Sequence, residues 1–285
     1  MNRNLFPVEK MCQVFKVSQS AYYCWKNGGS SIRKNQEKCL LERIEIIYAK
    51  SHKTYGSPRI FSELKTEQIS VSRSKVARIM KKHSIRSVHA KKFKVTTDSK
   101  HKHPVAENIL DRNFHADNKG EKWVSDITYI QTKEGWLYLT SIMDLYDRKV
   151  IGWAMSKGMK ASETVVPAWK MATTNRPLMN DLIFHSDRGV QYACTEFTDH
   201  LKNPLITQSM SRKGNCWDNA VAESFFKSLK KECVYRNKYL TRNEAKLSVF
   251  QWIETWYNTN RRHSSLGNKS IKEFEKSNNN HNLAA

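Results

Sequence analysis

The sequence predicts an α/β protein: a mixed β-sheet with helices packed on it, preceded by an all-helical basic region and followed by more helix. Three observations carry this. From Lys122 onward three β-rich runs, WVSDITYI, GWLYLTSIMDLYD and KVIGWAMS, follow one another and then give way to alternating helix and strand. Before them, apolar residues recur at helical spacing. The positive charge also lies mostly at the front, since residues 1–104 hold 23 basic and 7 acidic side chains and residues 105–285 hold 26 and 20.

In chain order, residues 8–15 and 18–26 read as two short helices parted at Lys16-Val17, with Ser18 placed to cap the second. Tyr22, Tyr23 and Trp25 cluster there, as core or as a DNA-facing surface. Gly28-Gly29-Ser30-Ser31 breaks the chain. Leu40, Leu41, Ile44, Ile47 and Tyr48 mark a second helical block, and TYGSPRI (54–60) turns into another helix. Ser70–His83 follows with Val71, Val76, Ile79 and Met80 on one side, and with Arg73, Lys75, Arg78, Lys81 and Lys82 along it. A short helix, a turn and a basic helix fit a helix-turn-helix whose second helix enters a major groove. A solvated basic face on a structural helix has the same composition.

Beyond the three β runs, residues 161–174 read as a helix, 182–185 as a buried strand, 195–201 as a helix, 204–209 as a strand and 218–235 as a long helix. Residues 243–258 are amphipathic, with Ala245, Val249, Trp252, Ile253 and Trp256 in a stripe. The expected organisation is a helical segment (1–30), a helix-turn-helix-like unit (31–90), a basic linker (91–118), a sheet-bearing core (119–235), a helical extension (236–276) and a disordered tail (277–285).

A net charge of +22 points to a polyanionic partner, double-stranded DNA above all. Cys12, Cys24, Cys39, Cys194, Cys216 and Cys233 form no CxxC pair and read as reduced thiols. MNRNLFPVEKMCQVF lacks the apolar stretch of a signal peptide and no run reaches membrane-spanning length, so the expected place is the cytoplasm, on the nucleoid.

Three acids carry the chemistry. Asp126 in WVSDITYI and Asp187 in IFHSDRGVQY sit at the ends of strand-like runs, and Glu223 in CWDNAVAESFFKSLKKE lies in a helix, with 35 residues between it and Asp187. Carboxylates brought from two strands and a helix to one point suit Mg²⁺, which takes hard oxygen ligands and keeps waters and substrate phosphate in its shell. Two such ions clamp the attacking and leaving oxygens of an in-line phosphoryl displacement. Lys227 and Lys230, four and seven residues past Glu223, share its helix face. They contact the DNA backbone, or act only as helical charge partners. Gly214 and Asn215 in SMSRKGNCWDN belong to a polar loop able to close over a scissile phosphate. Asp144, Asp147 and Asp218 are rival acids near element ends, Asp218 being placed to cap the long helix. Arg261 and Arg262 after an aromatic helix are either a DNA-backbone patch or cations suited to a helix C-terminus.

WVSDITYI, DLYDRKVIGW, FHSDRGVQY, SRKGNCWDNAVAESFFKSLK and YNTNRRHSSLG together resemble the integrase core of DDE transposases. The resemblance is to the second-reading-frame product of the bacterial insertion-sequence family related to retroviral integrases. SAYYCWK and TYGSPRI extend it over most of the chain. It implies a ribonuclease H-like fold, Mg²⁺-dependent cleavage at element ends (Mn²⁺ substituting), and attack by the freed 3′-hydroxyl on another phosphodiester. It also implies that Asp126, Asp187 and Glu223 are the metal triad and Lys230 the basic residue that accompanies it. A homo-oligomer on DNA and a first-reading-frame partner are expected with it. His83, His89, His101 and His103 have no cysteine pair beside them, so no zinc is expected. Two rivals remain at this level: a DNA-binding protein without catalysis, and a ribonuclease H-type nuclease that cuts without joining.

Overall fold

The computed structural model describes residues 6–26, 32–88, 103–178 and 181–282. The Gly-Ser break at 28–31 and the basic run 91–102, with His89 and His101, lie outside the described residues. The chain forms two compact units, residues 1–86 and 87–285.

The first unit is helical: α1 (Val8–Val14), α2 (Gln19–Lys26), α3 (Ile32–Lys50), α4 (Ser57–Thr66) and α5 (Arg73–Lys82). Ser18 accepts from the Ala21 N–H at 3.2 Å, the cap its position predicts. Leu40, Ile44 and Ile47 of α3 are buried with Ile60 and Leu64 of α4 and Val76, Ile79 and Met80 of α5. Gly56 precedes α4 and a proline stands in its first turn, while Ser72 caps α5 by accepting from the Lys75 N–H at 3.2 Å. Six residues, 67–72, join the end of α4 to the start of α5, and burial of one face of each fixes the pair.

The second unit is built on a five-stranded sheet in the order β3-β2-β1-β4-β5. β1 (Lys122–Thr132), β2 (Gly135–Asp144) and β3 (Val150–Ser156) form the expected antiparallel meander. After α6 (Val165–Asn175), β4 (Leu182–Ser186) joins the other edge of β1 in parallel. The short helices α7 (Val190–Ala193) and α8 (Thr195–Thr198) lead to β5 (Ile206–Met210), parallel to β4. The sheet is therefore mixed, as expected. Period-two alternation sorts its residues between two cores. Trp123, Ile142, Ile151, Leu182 and Phe184 face α6 to α8. Val124, Ile130, Leu137, Leu139 and Met143 face α9 (Ala220–Glu232) and α10 (Arg242–Gln251). Gly152 lets α6 approach β3, because a Cβ there would stand 2.7 Å from that of Ala172.

Three expectations change here. Residues 107–118, read as linker, belong to the second unit: Leu110 and Ala116 are buried in the α9 core. The region after α9 is continuous with that core, because α10 runs into a π-helix (Trp252–Tyr257) that buries Trp252, Ile253 and Tyr257 against Phe225. The chain closes with a two-stranded pair, β6 (Arg262–His263) and β7 (Lys269–Ser270), and α11 (Ile271–Asn282). Helix thus continues into the expected tail: Ile271 is fully buried and the Asn278 amide donates to the Tyr146 hydroxyl at 2.7 Å.

Candidate active site of the sheet edge

β1 and β4 pair as Lys122–Ile183, Trp123–Phe184 and Val124–His185. The same register carried two residues further brings Asp126 level with Asp187. Both acids then lie on the face of Val124, the face that α9 covers. The Asp126 Oδ1 accepts from the Ile127 N–H at 2.8 Å, and the Asp187 Oδ1 from the Gly189 N–H at 2.9 Å. A Cβ at Gly189 would stand 3.0 Å from that same carboxylate oxygen, a tight contact that the glycine avoids. Glu223 is exposed in the first turn of α9.

The electrostatics join the three. Burial first, then the charge of Asp187 and, more weakly, that of Glu223, push the Asp126 carboxyl well above its ordinary range; the Ile127 N–H and Lys230 oppose this. Burial also raises the Glu223 carboxyl. Acids that destabilise one another's charge form an all-oxygen donor set that a divalent cation would relieve. Among the described residues no three His, Cys, Asp or Glu side chains stand together at metal-ligand spacing.

The surroundings hold this geometry in place. The Ile109 and Leu110 N–H groups both donate to Ser209 Oγ, at 2.9 and 3.1 Å. The Ser209 hydroxyl proton therefore goes to His185 Nδ1 at 2.9 Å, leaving Nε2–H to donate to Ser211 Oγ at 3.1 Å. His185 is thus a neutral imidazole locking β4 to β5, and burial depresses its pKa to about 4. On the opposite face the Tyr192 hydroxyl bonds Ser125 Oγ at 2.7 Å, directly beside Asp126. The Asn219 amide donates to the Ser125 carbonyl at 3.1 Å and ties the start of α9 to β1.

Several expected roles are corrected. Asp218 does not cap α9: it is buried and accepts from the Arg212 N–H (2.9 Å), Arg212 Nε (2.8 Å) and Nη2 (2.9 Å), Arg112 Nε (2.8 Å) and Asn108 Nδ2 (3.0 Å). The Arg212 side-chain bonds hold its carboxyl well below the usual range. The loop carrying Gly214 and Asn215 is consequently clamped at both ends. Lys230 shares the Glu223 helix face but is only 3% exposed, with Nζ 4.8 Å from the Tyr129 ring centre. Its field on Asp126 makes it a buried counter-charge, not a surface contact to the DNA backbone. Arg261 and Arg262 are buried and ion-paired, with Glu232 at 2.8 Å and Glu273 at 3.1 Å, so they form no DNA patch. Lys227 is exposed. Asp144 and Asp147, the rival acids, share Arg176.

In the first unit Arg73, Arg78 and Lys81 are exposed on α5, Lys75 is half-buried, and Lys82 pairs with Glu37 at 2.6 Å.

Residues 34–93 match the family described as "HTH-like domain", and residues 116–216 and 205–270 match two families described as "Integrase core domain". The "Insertion element IS600 uncharacterized 31 kDa protein" of Shigella sonnei is 39% identical over 93% of this chain and 97% of its own length. "Transposase InsF for insertion sequence IS3A" of Escherichia coli (strain K12) is 37% identical over 96% of this chain and 95% of its own length. The chain belongs to the insertion-sequence transposases with an integrase core. It is accordingly a DNA transposase, a polynucleotidyl transferase with a ribonuclease H-like core and an HTH-like domain before it. Among solved structures it aligns with the simian T-cell lymphotropic virus intasome in complex with PP2A regulatory subunit B56 gamma, at a TM-score of 0.47 and 15% identity, covering 81% of this chain and 73% of that one. None of the described helices is long and apolar enough to cross a membrane.

Proposed function

We propose that this transposase cuts DNA at the ends of its insertion element and joins the freed 3′-hydroxyl to target DNA, with Asp126, Asp187 and Glu223 holding two Mg²⁺ ions. The β1–β4 register, which sets Asp126 level with Asp187 on the face α9 covers, carries this reading. When bound, the ions neutralise charge developing on the phosphoryl group and polarise the attacking oxygen, with Mn²⁺ serving in their place. Asp126 and Asp187 are each held by a backbone N–H group, and Glu223, exposed in the first turn of α9, would complete the donor set. Lys230 balances Asp126 from within the protein. The exposed Arg73, Arg78 and Lys81 of α5, with Lys75 beside them, take the DNA backbone, and Lys227 meets it near the acids. The working form is a homo-oligomer on nucleoid DNA, helped by a first-reading-frame product.

The test is Mg²⁺- or Mn²⁺-dependent nicking of supercoiled plasmid by the full chain. Asp126→Asn, Asp187→Asn and Glu223→Gln should each abolish nicking while leaving DNA binding in place. Comparable nicking by all three variants and the parent would remove the site assignment.

A further inference from the structure

Trp217 sits on the 3₁₀ turn Cys216–Asn219, six residues before Glu223, and is 69% exposed. Two other exposed tryptophans have ring neighbours: Trp136 packs edge-on to Tyr129 at 4.9 Å, and Trp25 lies 6.2 Å from Tyr22. Trp217 differs in how its backbone is held. The next residue, Asp218, is buried and takes five donated bonds from Arg212, Arg112 and Asn108. The residue after that, Asn219, is 5% exposed and donates to the Ser125 carbonyl beside Asp126. With two consecutive side chains fixed inward, the turn holds the indole outward, on the segment joining the acid-bearing sheet to Glu223. Lys213 is exposed in the same loop, next to the Asp218-bound Arg212, and Lys227 is exposed on the helix that follows.

We propose that Trp217 is a base-stacking platform for an unpaired nucleobase of the DNA strand lying at the acids. The chemistry selects that ligand. A rigidly mounted indole presents a broad π-face, every nucleobase has one to match, and the nearby cations suit the attached phosphates. A base inside a duplex is already stacked on both faces, so the site takes a base freed at a frayed or cut end. The proposal rests on the reading that the acids act on DNA.

The test uses the full chain carrying Asp187→Asn, so that no cutting intrudes on binding. Its affinity is compared with that of the same protein carrying Trp217→Ala or Trp217→Phe. The probes are a fully paired DNA duplex and the same duplex with mismatched, frayed ends bearing a fluorescent adenine analogue. Trp217→Ala should weaken frayed-end binding by about tenfold and paired-duplex binding by less than about twofold, and should lose quenching of the analogue. Trp217→Phe should recover most of both. Equal losses on the two duplexes, or no loss on either, would overturn the proposal. So would a change in self-association without DNA, which would make Trp217 a protein contact. Plasmid nicking by the parent chain is scored separately: its absence would remove the metal-site reading, while the frayed-end comparison would still decide Trp217.

Discussion

His185 shows how a single side chain supports the site without belonging to it. Its Nδ1 must accept from Ser209, because the Ser209 oxygen already accepts two N–H groups, so a protonated imidazole has no acceptor on that side. Burial is the main cause of its low pKa of about 4, against a weaker upward pull from Asp218. The native state therefore resists a proton that the unfolded chain takes up below its ordinary value of 6.5. The stability contribution is complete above pH 6.5 and falls away as the pH drops towards about 4, by up to about 3 kcal/mol. Thermal unfolding followed between these limits should show the parent losing stability faster than His185→Gln. Parallel curves would remove His185 as the cause.

At the scale of elements, α5 carries a buried apolar side, one paired lysine and three exposed cations. Val76, Ile79 and Met80 bury one side, and Lys82 is occupied by Glu37. Arg73, Arg78 and Lys81 are all exposed, with Arg78 and Lys81 three residues apart on one face. Exchanging all three for Ala should lower DNA affinity by about tenfold or more while leaving the helical circular dichroism and melting temperature nearly unchanged, since exposed substitutions perturb stability little. Unaltered affinity in an electrophoretic shift assay would return α5 to a purely structural role. Asp218 acts likewise between elements, its hydrogen bond from Asn108 and its ion pair with Arg112 binding residues 108–112 to the turn that opens α9.

For the whole molecule the governing quantity is charge. A net +22 on 285 residues, most of it in the first 104, makes counterion release a large part of DNA affinity. Binding to random-sequence duplex should weaken by about a hundredfold or more between roughly 50 and 200 mM salt. A flat salt response in a fluorescence titration would mean that the basic surface does not meet phosphate. The two compact units bury residues separately, one among helices and one on the sheet, and they divide after Arg86, well before the change of texture at Lys122.

The α/β class, the meander and the basic helix pair were legible in the sequence, because each is written locally in period, capping and residue type. Asp126 and Asp187 stood out as acids ending apolar runs, and the integrase-core motifs tied them to Glu223. Tertiary structure alone decided how charges are spent. Asp218 looked like a cap until Arg112, more than a hundred positions away, proved to be its partner. Arg261, Arg262 and Lys230 looked like DNA contacts until Glu232, Glu273 and Tyr129 were found beside them. Leu110 looked like linker until the α9 core closed over it. The physical reason is common to all five residues: periodicity and caps are set by neighbours within a turn or two, whereas an ion pair or a buried contact depends on which distant segment folding brings alongside.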